Sequence, residues 1–151
     1  MSDSDLIKLY SGRILELAAD IPHLGRLAAP QGSVRKRSPL CGSTVTADVV
    51  MQDGRVAAFA QDVKACALGQ ASAAVVGGAV MGRTAAELAA ARDGLRAMLK
   101  DGGPVPGAPF DGWEVLIPAR DYRNRHASIL LAIEAAAEAA AAAEAQVAAR
   151  A

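Results

Sequence analysis

Cys41 and Cys66 are the side chains of this sequence best suited to chemistry, because thiolates bind soft metals, accept sulfur and, when oxidised, pair as a disulfide. They lie in the frames Ser38-Pro39-Leu40-Cys41-Gly42-Ser43 and Val63-Lys64-Ala65-Cys66-Ala67-Leu68, and the chain between them reads as a β-hairpin turning at Asp53-Gly54. A two-residue turn pairs Gln52 with Arg55, and counting outward makes Cys41 the formal cross-strand partner of Cys66. Side chains so opposed have Cβ atoms roughly 4.5–5.5 Å apart, which suits two ligands of one metal and, with adjustment, a disulfide. Cys66 also stands where a helix begins. There the macrodipole and free N–H groups favour thiolate over thiol, so it is the stronger nucleophile candidate of the two.

The elements that must position these thiols follow from patterning. Val45, Ala47, Val49 and Met51 alternate onto one strand face, opposite Val56, Ala58 and Ala60, while Thr44, Thr46, Asp48 and Gln61 point the other way. Ser33 to Arg37 forms a further short strand, and its basic run Arg35-Lys36-Arg37 suits a solvated sheet edge. Apolar residues from Leu6 to Leu17 recur at helical spacing, predicting a first helix over Ser4 to Asp20 that ends before Pro22. Leu68 to Met81 reads as a buried helix of small residues, interrupted in composition by Gly77-Gly78. Thr84 and Glu87 form a capping box ahead of a helix whose stripe is Leu88, Leu95, Met98 and Leu99. Trp113 to Ile117 suggests one helical turn. A long helix from about Tyr122 to the end is then expected to pack for three turns and project its alanine-rich remainder, where self-association is a further role open to it.

These elements make one α+β domain over residues 1–151: a small antiparallel three-stranded sheet packed against several helices, with a long alanine-rich C-terminal helix. With 52% hydrophobic and only 3% aromatic residues, its core must be built from small side chains. Lys plus Arg and Asp plus Glu number 16 each, so no net field draws the chain to nucleic acid or an anionic membrane. Met1 to Ile7 holds no apolar run, which predicts no secretory signal and a cytoplasmic address. In that reducing compartment two cysteines suit metal binding or thiol reactivity better than a structural bridge.

The segments together resemble the NifU/IscU-type iron–sulfur cluster assembly scaffolds along most of the chain. The resemblance runs through the bend Ile21-Pro22-His23-Leu24-Gly25, the strand start Pro39-Leu40-Cys41-Gly42, and Cys66-Ala67-Leu68-Gly69-Gln70-Ala71-Ser72. It continues through Gly82-Arg83-Thr84 and His126-Ala127-Ser128-Ile129-Leu130. Two positions depart: Ser43 stands where the family usually has aspartate, and Ala127 where it has a third cysteine. The resemblance implies a scaffold or carrier with ligand candidates Cys41, Cys66 and His126, a set that suits ferrous iron, a transient iron–sulfur cluster or, alternatively, zinc. It further implies a cysteine desulfurase and recipient apo-proteins as partners. A zinc-binding sulfur acceptor or regulator of the desulfurase is the rival. No nucleophile, base and orienter set is present to suggest an enzyme.

Overall fold

Asp53 and Gly54 adopt φ of 53° and 75°, the left-handed pair that a two-residue hairpin turn needs and that Asp-Gly tolerates. The turn joins β2 (Thr44–Gln52) to β3 (Arg55–Lys64), and β1 (Gly32–Arg37) pairs with the other side of β2, giving an antiparallel sheet of order β1-β2-β3. The computed structural model describes residues 11–40 and 42–150. Cys41 and the expected opening of the first helix, Ser4 to Tyr10, lie outside them.

Gln52 pairs with Arg55 as expected, but the register slips once. Met51 pairs with Val56 and Val50 with Ala58, so Ala57 is an extra residue bulged from β3. Because side chains alternate with period two, one extra residue exchanges the faces beyond it. Phe59, Gln61 and Val63, rather than Ala58 and Ala60, therefore stand opposite Val49, Ala47 and Val45. Gln61 was expected to point away from the core. It is buried there instead, with Nε2 donating to Ala73 O at 3.0 Å and Pro22 O at 3.1 Å. The last pair is Thr44 with Lys64, and its register, carried outward, sets Cys66 against Gly42 rather than Cys41.

Four α-helices and a 3-10 segment complete the described chain. Helix α1 (Gly12–Ala19) is capped by Ser11, whose Oγ accepts from Ile14 N at 3.3 Å. Helix α2 (Ala67–Ala79) runs unbroken to Ala79, and Gly77 has a steric reason to be glycine. A Cβ there would lie 2.8 Å from Pro22 O and 2.9 Å from Gln61 Nε2. Helix α3 (Ala85–Lys100) opens on the expected capping box, with Glu87 N donating to Thr84 Oγ1 and Thr84 N to Glu87 Oε1, both at 3.0 Å.

The expected single turn at Trp113 is part of a 3-10 helix spanning Asp111–Asp121. Trp113 is fully buried, stacked on Phe110 at 5.0 Å with Nε1 donating to Ser72 O, which anchors the segment to α2.

Helix α4 (Arg123–Arg150) packs against α2, α3, β1 and β2. Packing runs beyond the expected three turns, since Ala132, Ala135, Ala136, Ala139, Ala140 and Ala143 are all buried, and only past Ala143 does the helix project, with Ala145, Ala148 and Ala149 exposed. Alanine's small side chain lets the sheet approach the helix backbone itself. A Cβ on Gly32 would fall 1.9 Å from Ala139 O and 2.8 Å from Ala143 N, so only glycine fits at that crossing. By length and hydropathy α4 resembles a membrane span, but 72% of that window is buried inside the protein, as in a core helix.

The sheet face away from α4 carries a buried charge. Asp48 has no exposed side-chain surface. It accepts from Arg26 Nε (2.7 Å), Arg26 Nη2 (3.2 Å), Leu27 N (3.0 Å) and Ser33 Oγ (2.7 Å). Burial pushes its carboxyl upward, but the bonds from Arg26, Ser33 and Leu27, together with the Arg26 charge, outweigh that and hold it below the ordinary carboxylate range.

Candidate functional site

Cys66 is the N-cap residue of α2, yet its side chain makes no capping bond to that helix. The half-buried thiol instead meets α4, with Sγ 3.7 Å from Ser128 Oγ. Ser128 Oγ in turn donates to Ser43 Oγ at 3.0 Å. Ser128 and Ser43 are only 1% and 4% exposed, so two nearly dry hydroxyls and a half-buried thiol form a polar chain joining α4, α2 and the entry to β2.

Two local features hold that chain in place. Gly69, one turn into α2, passes so close that a Cβ there would lie 2.9 Å from Ser128 Oγ and 3.2 Å from Ser128 O. On the other side, Ser38 N donates to Ser43 O at 2.8 Å and Gly42 N to Ser38 O at 2.9 Å. These bonds tie both flanks of the segment that contains Cys41, and Gly42 takes a φ of 69°. Cys41 itself lies outside the described residues.

His126 is engaged elsewhere. Its ring is 3% exposed, and Nε2 lies 3.0 Å from Ala119 O and 3.1 Å from Arg120 O. Two carbonyl oxygens require Nε2 to carry the hydrogen and donate it, so Nδ1 is the only ring nitrogen left for a metal. The imidazole borders a cavity of about 440 Å³ with Lys100, Asp101 and Arg123. Of the three residues expected to converge, Cys66 and His126 thus contact different partners, and the α4 side chain hydrogen-bonded to Cys66 is Ser128. Among the described residues no three of His, Cys, Asp and Glu are grouped to hold a metal ion.

Sequence reasoning missed Ser128. The available signal was a hydroxyl opening the apolar run Ser128-Ile129-Leu130-Leu131, since a polar atom buried there must find a partner. Ser43, which stands where the family usually has aspartate, is that partner.

No protein-family model and no curated protein matches the chain. Solved structures do. A nitrogen-fixing NifU-like protein (N-terminal) from Brucella abortus superposes with a TM-score of 0.89 at 46% sequence identity, covering 93% of this chain and 97% of its own. A candidate iron–sulfur cluster assembly scaffold protein for the SUF system, from the thermophile Fervidobacterium islandicum, gives a TM-score of 0.78 at 18% identity over 89% of this chain and 98% of its own. A hypothetical protein gives the same TM-score and coverage at 23% identity, and for these last two the likeness is one of fold alone.

Proposed function

The chain belongs to the NifU-like family, and we propose that it acts as a scaffold or carrier in iron–sulfur cluster assembly. In this reading Cys41 and Cys66 hold iron or a nascent cluster as cargo, sulfur comes from a cysteine desulfurase, and the product passes to recipient apo-proteins in the cytoplasm. Sulfur arrives by thiol exchange: the Cys66 thiolate attacks the outer sulfur of the desulfurase persulfide, whose sulfur–sulfur bond breaks as the desulfurase cysteine leaves as thiolate. Two external thiols, oxidised together to a disulfide, then supply the two electrons that release this sulfur as sulfide and free Cys66.

The observation that carries the reading is the bonded chain from Cys66 through Ser128 to Ser43, two residues beyond Cys41. It supports both cysteines serving one site. Two thiolates leave two positions of a tetrahedral iron for sulfide or an incoming ligand, and a shell so incomplete suits cargo that must be released. This reading leaves His126 out of the ligand set because its contacts are with Ala119 and Arg120 and not with the chain from Cys66 to Ser43. The protein supplies ligands rather than turnover.

Metal analysis and visible absorption of protein purified without oxygen test this reading. Wild type is expected to carry iron and sulfide and to absorb in the visible, and Cys41→Ala and Cys66→Ala are each expected to lose both. Colourless protein carrying zinc would favour a zinc-binding sulfur acceptor instead. Equal metal content in all three proteins would overturn the site.

A further inference from the structure

We infer that Ser128 is a positioning residue for the loaded site, donating its hydroxyl hydrogen to the Cys66 sulfur once that sulfur carries metal. The inference rests on the thiol site proposed above. Ser128 Oγ has one hydrogen, and in the metal-free protein it goes to Ser43 at 3.0 Å, leaving the thiol S–H to serve the 3.7 Å contact. Loading changes that arrangement. A divalent ion replaces the thiol hydrogen, the sulfur–metal bond forms as the S–H bond breaks, and the proton leaves to water, after which the sulfur can only accept.

The Cys66 thiol is half-buried while Ser128 is nearly dry, so Ser128 Oγ is the buried protein donor that lies against the inner side of the sulfur. Rotation of the Ser128 hydroxyl turns its hydrogen from Ser43 Oγ to the Cys66 sulfur. The surroundings favour this. Gly69 leaves Ser128 room only because it lacks a Cβ, and the Cys66 sulfur is not engaged in capping α2. A hydrogen bond to a ligating sulfur draws electron density from it, weakening its donation to the metal and raising the reduction potential of an iron–sulfur group.

Anaerobic titration with cobalt(II) reads the effect through the sulfur-to-cobalt charge-transfer band. In Ser128→Ala the sulfur becomes a stronger donor, so the band is expected at longer wavelength than in wild type. Ser128→Thr, which keeps the hydroxyl, is expected to restore the wild-type band. A wild-type band position in Ser128→Ala overturns this inference while leaving the thiol site standing. Absence of any sulfur-to-cobalt band in wild type overturns both.

Discussion

Replacing Asp48 with asparagine removes one charge and little volume from a side chain with no exposed surface. One carboxylate oxygen accepts from Arg26 Nε and Leu27 N, the other from Arg26 Nη2 and Ser33 Oγ. Whichever way the amide is placed, its NH2 faces two donors. The less costly placement sets NH2 against Ser33 and Arg26 Nη2, because the serine hydroxyl can turn to accept. What is lost is then one charge-assisted bond and the ion pair itself. Bonds to charged groups contribute about 1.5–3 kcal/mol each, but Arg26 is 55% exposed and recovers much of its loss in water, so the expected cost at pH 7 is about 2–3 kcal/mol. For a chain of this length that corresponds to a fall in melting temperature of about 4–12 °C.

The difference must also depend on pH. The Asp48 carboxyl titrates lower in the folded protein than in the unfolded chain, where the value is about 3.9, so its contribution is full above that value and is lost as pH falls through the folded one. Urea unfolding of wild type and Asp48→Asn at pH 7 and at successive steps below pH 4 should show the gap shrinking as wild-type Asp48 protonates. Equal stability at pH 7, or a gap that stays constant into acid, would refute the assignment of the buried charge to Arg26, Leu27 and Ser33.

Gly32→Ala forces a Cβ against Ala139 O, a backbone atom that cannot rotate away, so urea unfolding should show a loss at or above the usual overpacking range of about 1–3 kcal/mol, while alanine at exposed Gly107, where nothing lies near, should cost little. His126→Ala deletes the donor to Ala119 O and Arg120 O and should lower the melting temperature of metal-free and metal-loaded protein alike; calorimetry should find metal affinity unchanged, and a selective loss of affinity would return His126 to the ligand set.

Local signals in the sequence carried far. Asp53-Gly54 announced its turn, Thr84 and Glu87 their capping box, and Cys66 its place at a helix start, because each depends on residues within a few positions of one another. The bulge at Ala57 had no such signal: alanine neither demands nor forbids an extra residue, so the faces of Phe59, Gln61 and Val63 came out reversed. The alanine tail hid its burial for a related reason. A run of identical small residues has no apolar period, and its packing shows only in the fold, as at Gly32, more than a hundred residues away. Ser128 was hidden in the same way, since its role depends on Gly69 and Ser43, which only the fold brings to it.

The central claim, that the two cysteines assemble cluster as transferable cargo, is tested most directly by following visible absorption while the protein is incubated without oxygen with a cysteine desulfurase, cysteine and ferrous iron, before an apo-ferredoxin is added. The account predicts cluster absorption that builds on the wild-type protein, falls as the ferredoxin acquires its own spectrum, and is absent with Cys41→Ala or Cys66→Ala. Ferredoxin that loads equally fast without the protein, or with Cys66→Ala in its place, would contradict it.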